Sequence, residues 1–278
     1  MSMKNRHVLG EAVRHLILII LALYTLAPLL FLFVNAFKSN NEIIASPVAL
    51  PEHWTLQYIK TAMEAINFGK ALGLTFIITF FSILLLVIVS SFAAWAMVRS
   101  KTILSNIVFL CFTAAMLVPF QSLMYPLLSV FEKMGLKNVQ GLILMYGGFG
   151  LSMSVFLYHG FIKSVPASLE EAAVLDGANL FQMFFKVVFP LLKGTVIVLN
   201  GMWIWNDYLL PFLVIGNKTG SKTLTLELYF AKLTSGQYGN PWELIFPAVF
   251  VTIIPIIILY IFLQKYIVAG VSEGAVKM

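Results

Sequence analysis

Charge is what this chain has least of. Only 11% of its 278 residues are Asp, Glu, Lys or Arg, whereas 60% are hydrophobic; a soluble domain carries about a quarter charged residues, so a water-soluble globular protein is excluded. Cysteine is nearly absent as well. Cys111 stands alone inside an apolar run, which rules out an intrachain disulfide and a cysteine-based metal site. His7, His15, His53 and His159 share no ligand spacing and read as scattered residues rather than metal ligands. No serine sits in a nucleophile-elbow sequence and no HExxH helix is present. The run 216–223 superficially resembles a phosphate loop, but its lysine does not directly follow the second glycine and no strand–loop–helix context surrounds it. It reads as an extracellular turn, and no catalytic residue, metal site or enzyme activity is expected. The net charge of +6 is scattered between apolar runs rather than gathered on one face, which argues against a nucleic-acid partner.

Long uncharged intervals take the place of charge. A helix needs about 20 apolar residues to cross about 30 Å of hydrocarbon. Six such intervals predict spans at about 16–37, 71–98, 105–128, 141–162, 191–216 and 244–264, the fifth broken only by Asp207. The residue pattern thus predicts an all-α integral membrane protein: a cytoplasmic N-terminus at 1–15, a six-span domain at 16–264 and a cytoplasmic C-terminal tail at 265–278. The first span is too long for a signal-peptide core and reads as a retained anchor. With the N-terminus inside, ten basic residues lie inside and eight outside, and all three arginines, Arg6, Arg14 and Arg99, fall inside. Pro28, Pro119, Pro126, Pro211, Pro247 and Pro255 interrupt the spans, either to permit rocking or simply to fit the packing.

One polar interruption, 163–190, stands out as a cytoplasmic loop. Glu170, Glu171 and Asp176 lie together with no basic residue between Lys163 and Lys186, so a negatively charged docking surface is expected. Ser168 and Glu171 are spaced as a capping box, placing a helix start near Ser168. Gly177 is the expected stop, because glycine enters the left-handed conformation without a side-chain penalty. Asn179 can cap a second helix, on which Phe181, Phe184, Phe185 and Val188 follow at i, i+3, i+4 and i+7 as one apolar face before Pro190.

The order Glu171-Ala172-Ala173, Asp176-Gly177-Ala178 and Val187-Val188-Phe189-Pro190 resembles the EAA loop of binding-protein-dependent ABC importer permeases. The run 268–277 looks like the tail of the carbohydrate branch, the maltose and multiple-sugar type. Val187 and Phe189 stand where that family has Ile and Leu, departures in shape but not in polarity. The resemblance implies a six-span type I permease whose Glu170, Glu171, Ala172, Ala173, Asp176, Gly177, Ala178 and Pro190 couple to an ATPase. It also implies a cell-membrane location, a second homologous permease, two ATPase subunits that bind the ATP, an extracytoplasmic solute-binding protein and a carbohydrate substrate. No cofactor is then expected in this chain itself.

Asp207 is the most informative residue within the predicted spans. A carboxylate inside a lipid-spanning helix costs at least about 2.5 kcal/mol unless it faces protein or water, so it is expected to point inward. With Trp203, Trp205, Asn206 and Tyr208 it could line a substrate path, flat rings meeting a sugar face and polar groups its hydroxyls. Equally, the aromatics could pack at a helix interface while Asp207 pairs within the fold. A secondary transporter or channel using Asp207 as an ion or proton site is the alternative class, against which no repeated pair of broken helices is found. The outer loop 218–243, with Tyr229, Phe230 and Tyr238, is the expected contact for a binding protein.

Overall fold

The computed structural model describes residues 3–192, 194–216, 220, 222–235 and 240–275, and no strand occurs among them. The helices are α1 Met3–Asn35, α2 Asn40–Ala45, α3 Gln57–Ala65, α4 Phe68–Ser100, α5 Ile103–Ala115, α6 Phe120–Lys133 and α7 Val139–Ser164. They continue as α8 Ala167–Leu175, α9 Leu180–Met183, a π-helical turn Phe184–Val188, α10 Phe189–Leu191, α11 Thr195–Asn206, α12 Leu209–Val214, α13 Leu224–Ser235 and α14 Trp242–Ala275. Among the described residues four helices are long and apolar enough to cross a membrane alone: Gly10–Asn35, Phe68–Ser100, Val139–Ser164 and Trp242–Phe262. The number reaches six if each of two bent pairs, Ile103–Ala115 with Phe120–Lys133 and Leu180–Leu191 with Thr195–Asn206, is one span.

Three of the expected segments are not single helices within the expected bounds. The run 105–128 bends by 102° between α5 and α6, because Pro119 takes an extended conformation at the α6 N-cap and cannot continue a helix. The run 191–216 is interrupted at Asp207, whose extended ψ of 133° ends α11. And α14 runs on to Ala275, so the expected tail at 265–278 begins as a continuation of the last helix.

Two compact units are present, Met1–Gly69 with Glu227–Pro255, and Lys70–Leu226 with Ile256–Met278. In the first, Leu16, Ile20, Leu23 and Leu30 of α1 are each more than half exposed, as a surface meant for lipid or a partner requires. Beyond α1 the chain folds back on itself: Asn35 donates to the Pro47 carbonyl at 2.9 Å, and the buried Lys38 ammonium donates to the Ser46 carbonyl at 2.9 Å. Ser39 and Glu42 close a capping box on α2. Hydrogen bonds from the Ser39 backbone N–H and hydroxyl, and from the Glu52 N–H, hold the Glu42 carboxyl below the usual carboxylate range. Phe33, Phe37, Trp54 and Phe250 pack edge to face or tilted around this turn, and Ala62, Ile66, Ala248 and Val251 form the unit's core.

The second unit is built around α7. Its Gly147 and Gly150 allow close approach, since a Cβ on Gly147 would lie 2.5 Å from Leu85 and one on Gly150 2.7 Å from Leu86 and from Asn200 Oδ1. Asn200 of α11 donates to the Ser154 hydroxyl of α7 at 3.0 Å, a polar tie between buried residues of the two helices.

Candidate functional site

The loop 163–190 forms two helical arms joined at Gly177. Pro166 is the N-cap of α8, with φ −61° and ψ 130° and no side-chain cap. The expected capping box between Ser168 and Glu171 is therefore not formed: proline's fixed φ suits the boundary, and Ser168 falls inside the first turn, where it cannot act as N-cap. The stop is as expected. Gly177 has φ +79°, its N–H reaches the Val174 carbonyl and the Ala178 N–H reaches the Ala173 carbonyl, each at 3.0 Å, which is the Schellman pattern. Asn179 caps α9 as expected, and Gln182 answers it, the two backbone N–H groups each meeting the other side chain at 3.0 and 2.9 Å.

The three acids do not act together. Glu170 is buried, 8% exposed. Its Oε1 receives Arg99 Nη2 at 2.6 Å and Nε at 2.8 Å, and its Oε2 receives the Trp95 indole N–H at 3.1 Å. Arg99 Nη2 also donates to the Val165 carbonyl at 3.1 Å, the last link before α8. Burial with every oxygen engaged is how a charge is tolerated away from water; Glu170 fastens α8 to α4 and is removed from the expected docking surface. Glu171, Ala172 and Asp176 are exposed, Ala173 and Ala178 half-buried, and Pro190 exposed.

The second arm also departs from the expected single apolar face. The π-turn adds a residue to the helical period, so Phe184 and Val188 are buried while Phe181 is 68% and Phe185 46% exposed. Phe184 stacks on Phe92 of α4 with ring centres 3.8 Å apart and leans against Trp95 at 5.3 Å. Phe181, with Leu175 at 89% exposure, Leu180 and Val174, forms an apolar shoulder beside Glu171 and Asp176. Sequence reasoning missed this shoulder, although Leu175 and Leu180 flanking the glycine turn were available as its signal.

The expected substrate-path residues are dispersed. Trp205 is buried in the bundle, 7% exposed. Trp203 is the member of that set lining a cleft of about 690 Å³, together with Phe120, Phe149 and Asn200, and it meets Tyr146 edge to face at 5.5 Å. Asn206 and Tyr208 are exposed. Asp207 is the C-cap of α11 and lies just before Tyr208, the N-cap of α12; its Oδ1 accepts the Leu209 N–H at 2.9 Å, while Oδ2 accepts the Tyr146 hydroxyl at 2.9 Å. The Thr225 hydroxyl donates to the Asp207 carbonyl at 2.7 Å, so the residue pairs within the fold at a helix break. Tyr229 and Phe230 are half-buried on α13, their rings 5.7 Å apart; Tyr238 lies outside the described residues.

Residues 87–273 match the family described as binding-protein-dependent transport system inner membrane component. A probable starch degradation products transport system permease protein from Thermoanaerobacterium thermosulfurigenes is 43% identical over 93% of this chain and 94% of its own length. The multiple sugar-binding transport system permease protein of Streptococcus mutans is 34% identical over 99% and 100%. Among solved structures, a bacterial ABC transporter involved in the import of the acidic polysaccharide alginate superposes with a TM-score of 0.77 at 23% identity, covering 96% of this chain and 98% of that one. This chain belongs to the family of inner membrane components of binding-protein-dependent transport systems. Its members are permeases rather than enzymes, and such a system includes an ATPase and a solute-binding protein.

Proposed function

We propose that the chain is one permease subunit of a type I ABC importer for carbohydrate, paired with a related second permease above two ATPase subunits and below an extracytoplasmic solute-binding protein. The observation that carries this reading is the loop 163–190: two short helices, turned sharply at Gly177 and fixed to α4, present Glu171, Ala172, Leu175, Asp176 and Phe181 outward. A rigid element of this kind moves as a body when a partner pulls on it, where a flexible linker would absorb the displacement. The loop and both chain ends then face the cytoplasm, with six crossings, of which the third is the bent pair α5–α6 and the fifth is α11 with α12, broken at Asp207. Carbohydrate as substrate is supported by relatives named for starch products, multiple sugars and melibiose, raffinose and stachyose. Exposed ring faces at Trp203 and Tyr208 suit such a ligand.

A secondary transporter driven through Asp207 has no observation in its favour, since both carboxylate oxygens are engaged by Tyr146 and Leu209. The test is a cross-link. With Cys111→Ser as background, Ala172→Cys carrying a short bifunctional reagent is expected to capture the co-expressed ATPase in membranes. Failure to capture it, while the same ATPase co-purifies, would place the docking elsewhere.

A further inference from the structure

Both arms of the loop are held by one stripe of α4. Phe92, Trp95 and Arg99 sit at i, i+3 and i+7, the spacing that puts side chains on a common helix face. Arg99 and Trp95 take both oxygens of Glu170 on α8, and Phe92 and Trp95 take the ring of Phe184 in the second arm. Arg99 further holds the Val165 carbonyl, so even the junction between α7 and α8 is pinned from α4. Trp95 touches both arms.

At its other end α4 holds a second set of parts. The Thr75 hydroxyl is buried and accepts the Leu224 N–H at 2.9 Å, while donating to Ala71 in its own helix at 2.8 Å. Leu224 opens α13, and one residue on, the Thr225 hydroxyl holds the carbonyl of Asp207 at the helix break. Between Thr75 and Arg99 there is neither glycine nor proline, so α4 lacks the two residues at which helices most often kink, though the Ser90 and Ser91 hydroxyls return to the Leu86 and Val87 carbonyls of the same helix. At 1.5 Å per residue that stretch spans about 36 Å. By contrast α1 and α14 carry internal prolines, and the α11–α12 and α5–α6 pairs are broken.

We infer that α4 is the strut carrying displacement of the coupling loop to the start of α13 and the break at Asp207, and that Arg99 and Trp95 are positioning residues for transport. The inference rests on α8 being the ATPase-docking element. It makes α4, rather than the helices joined covalently to the loop, the main path of the stroke. An ion pair suits that fastening, because a guanidinium shared between a carboxylate and a carbonyl resists sliding in two directions where a purely apolar contact resists little.

The test uses the assembled transporter in proteoliposomes, reading ATPase retention, ATP hydrolysis and substrate taken up per ATP. Arg99→Met leaves the exposed face of α8 intact and is expected to keep the ATPase bound while uptake per ATP falls about tenfold, within the usual range of coupling between sites. Arg99→Lys, which retains the charge on one oxygen, should recover part of the loss. Thr75→Val, similar in shape but unable to accept from Leu224, should lower uptake per ATP in the same way from the opposite end. Should Arg99→Met fail to assemble, Thr75→Val decides alone. Unchanged uptake per ATP in an assembled Arg99→Met complex would overturn the inference, as would a normal Thr75→Val. The docking reading itself fails on another readout, the absence of a wild-type cross-link between position 172 and the ATPase.

Discussion

Glu170 and Glu171 are adjacent and chemically the same, yet a helix turns about 100° between neighbours, and that rotation separates their roles. Glu170 points into the bundle and meets Arg99; Glu171 points out. Because Pro166 and not Ser168 is the N-cap, Glu171 has no capping duty, and a loss in its variants reports docking rather than helix stability. Exposed ion pairs contribute about 0.2 to 1 kcal/mol and weaken over a screening length of about 8 to 10 Å at ordinary salt. Glu171→Gln is therefore expected to reduce ATPase retention on the detergent-solubilised complex modestly at low salt, Glu171→Lys more, with the difference closing as salt rises. Equal retention for all three proteins at low salt would remove charge from the contact and leave it to Ala172, Leu175 and Phe181. The distinction between the two glutamates was hidden in the sequence, since the partner that settles it, Arg99, lies 71 residues away.

At the level of the element, the turn at Gly177 was the most legible feature of the loop. A glycine after an alanine-rich helix and before an asparagine states its own conformation, and φ is +79° as that pattern requires. A Cβ there would meet nothing within 4 Å, so the cost of substitution is purely one of backbone conformation. Gly177→Val should cost about 1 to 2 kcal/mol of loop order and lower substrate uptake while the protein still inserts; normal uptake would sink the idea. The π-turn was not legible, because an inserted residue leaves the composition unchanged and only shifts which phenylalanines face in. The break at Asp207 was half legible. The lone carboxylate was visible, but the chain break beside it was signalled only by Pro211 four residues later, a first-turn proline that marks a new helix start. Pro119 was read as an interrupter, but its presence in the sequence did not state the 102° angle between α5 and α6.

For the whole molecule, the uncharged runs alone predicted six crossings, and the loop together with the tail pointed to the permease class, whereas the 102° bend between α5 and α6 and the break at Asp207 became visible only in the fold. Sidedness can be read with a membrane-impermeant maleimide in a Cys111→Ser background. Val48→Cys, on a residue 84% exposed, is expected to react from outside intact cells. Ala172→Cys should react only after lysis, and the opposite pattern would invert the assigned orientation. The apolar shoulder has a bearing on how such a complex is made. Leu175 and Phe181 stand in water when nothing covers them, and exposed greasy side chains are what cellular quality control binds and removes. On the proposed docking reading, a chain synthesised in excess of its ATPase would be an orphan marked by this exposed shoulder, so the supply of the soluble partner would set how much permease survives in the membrane.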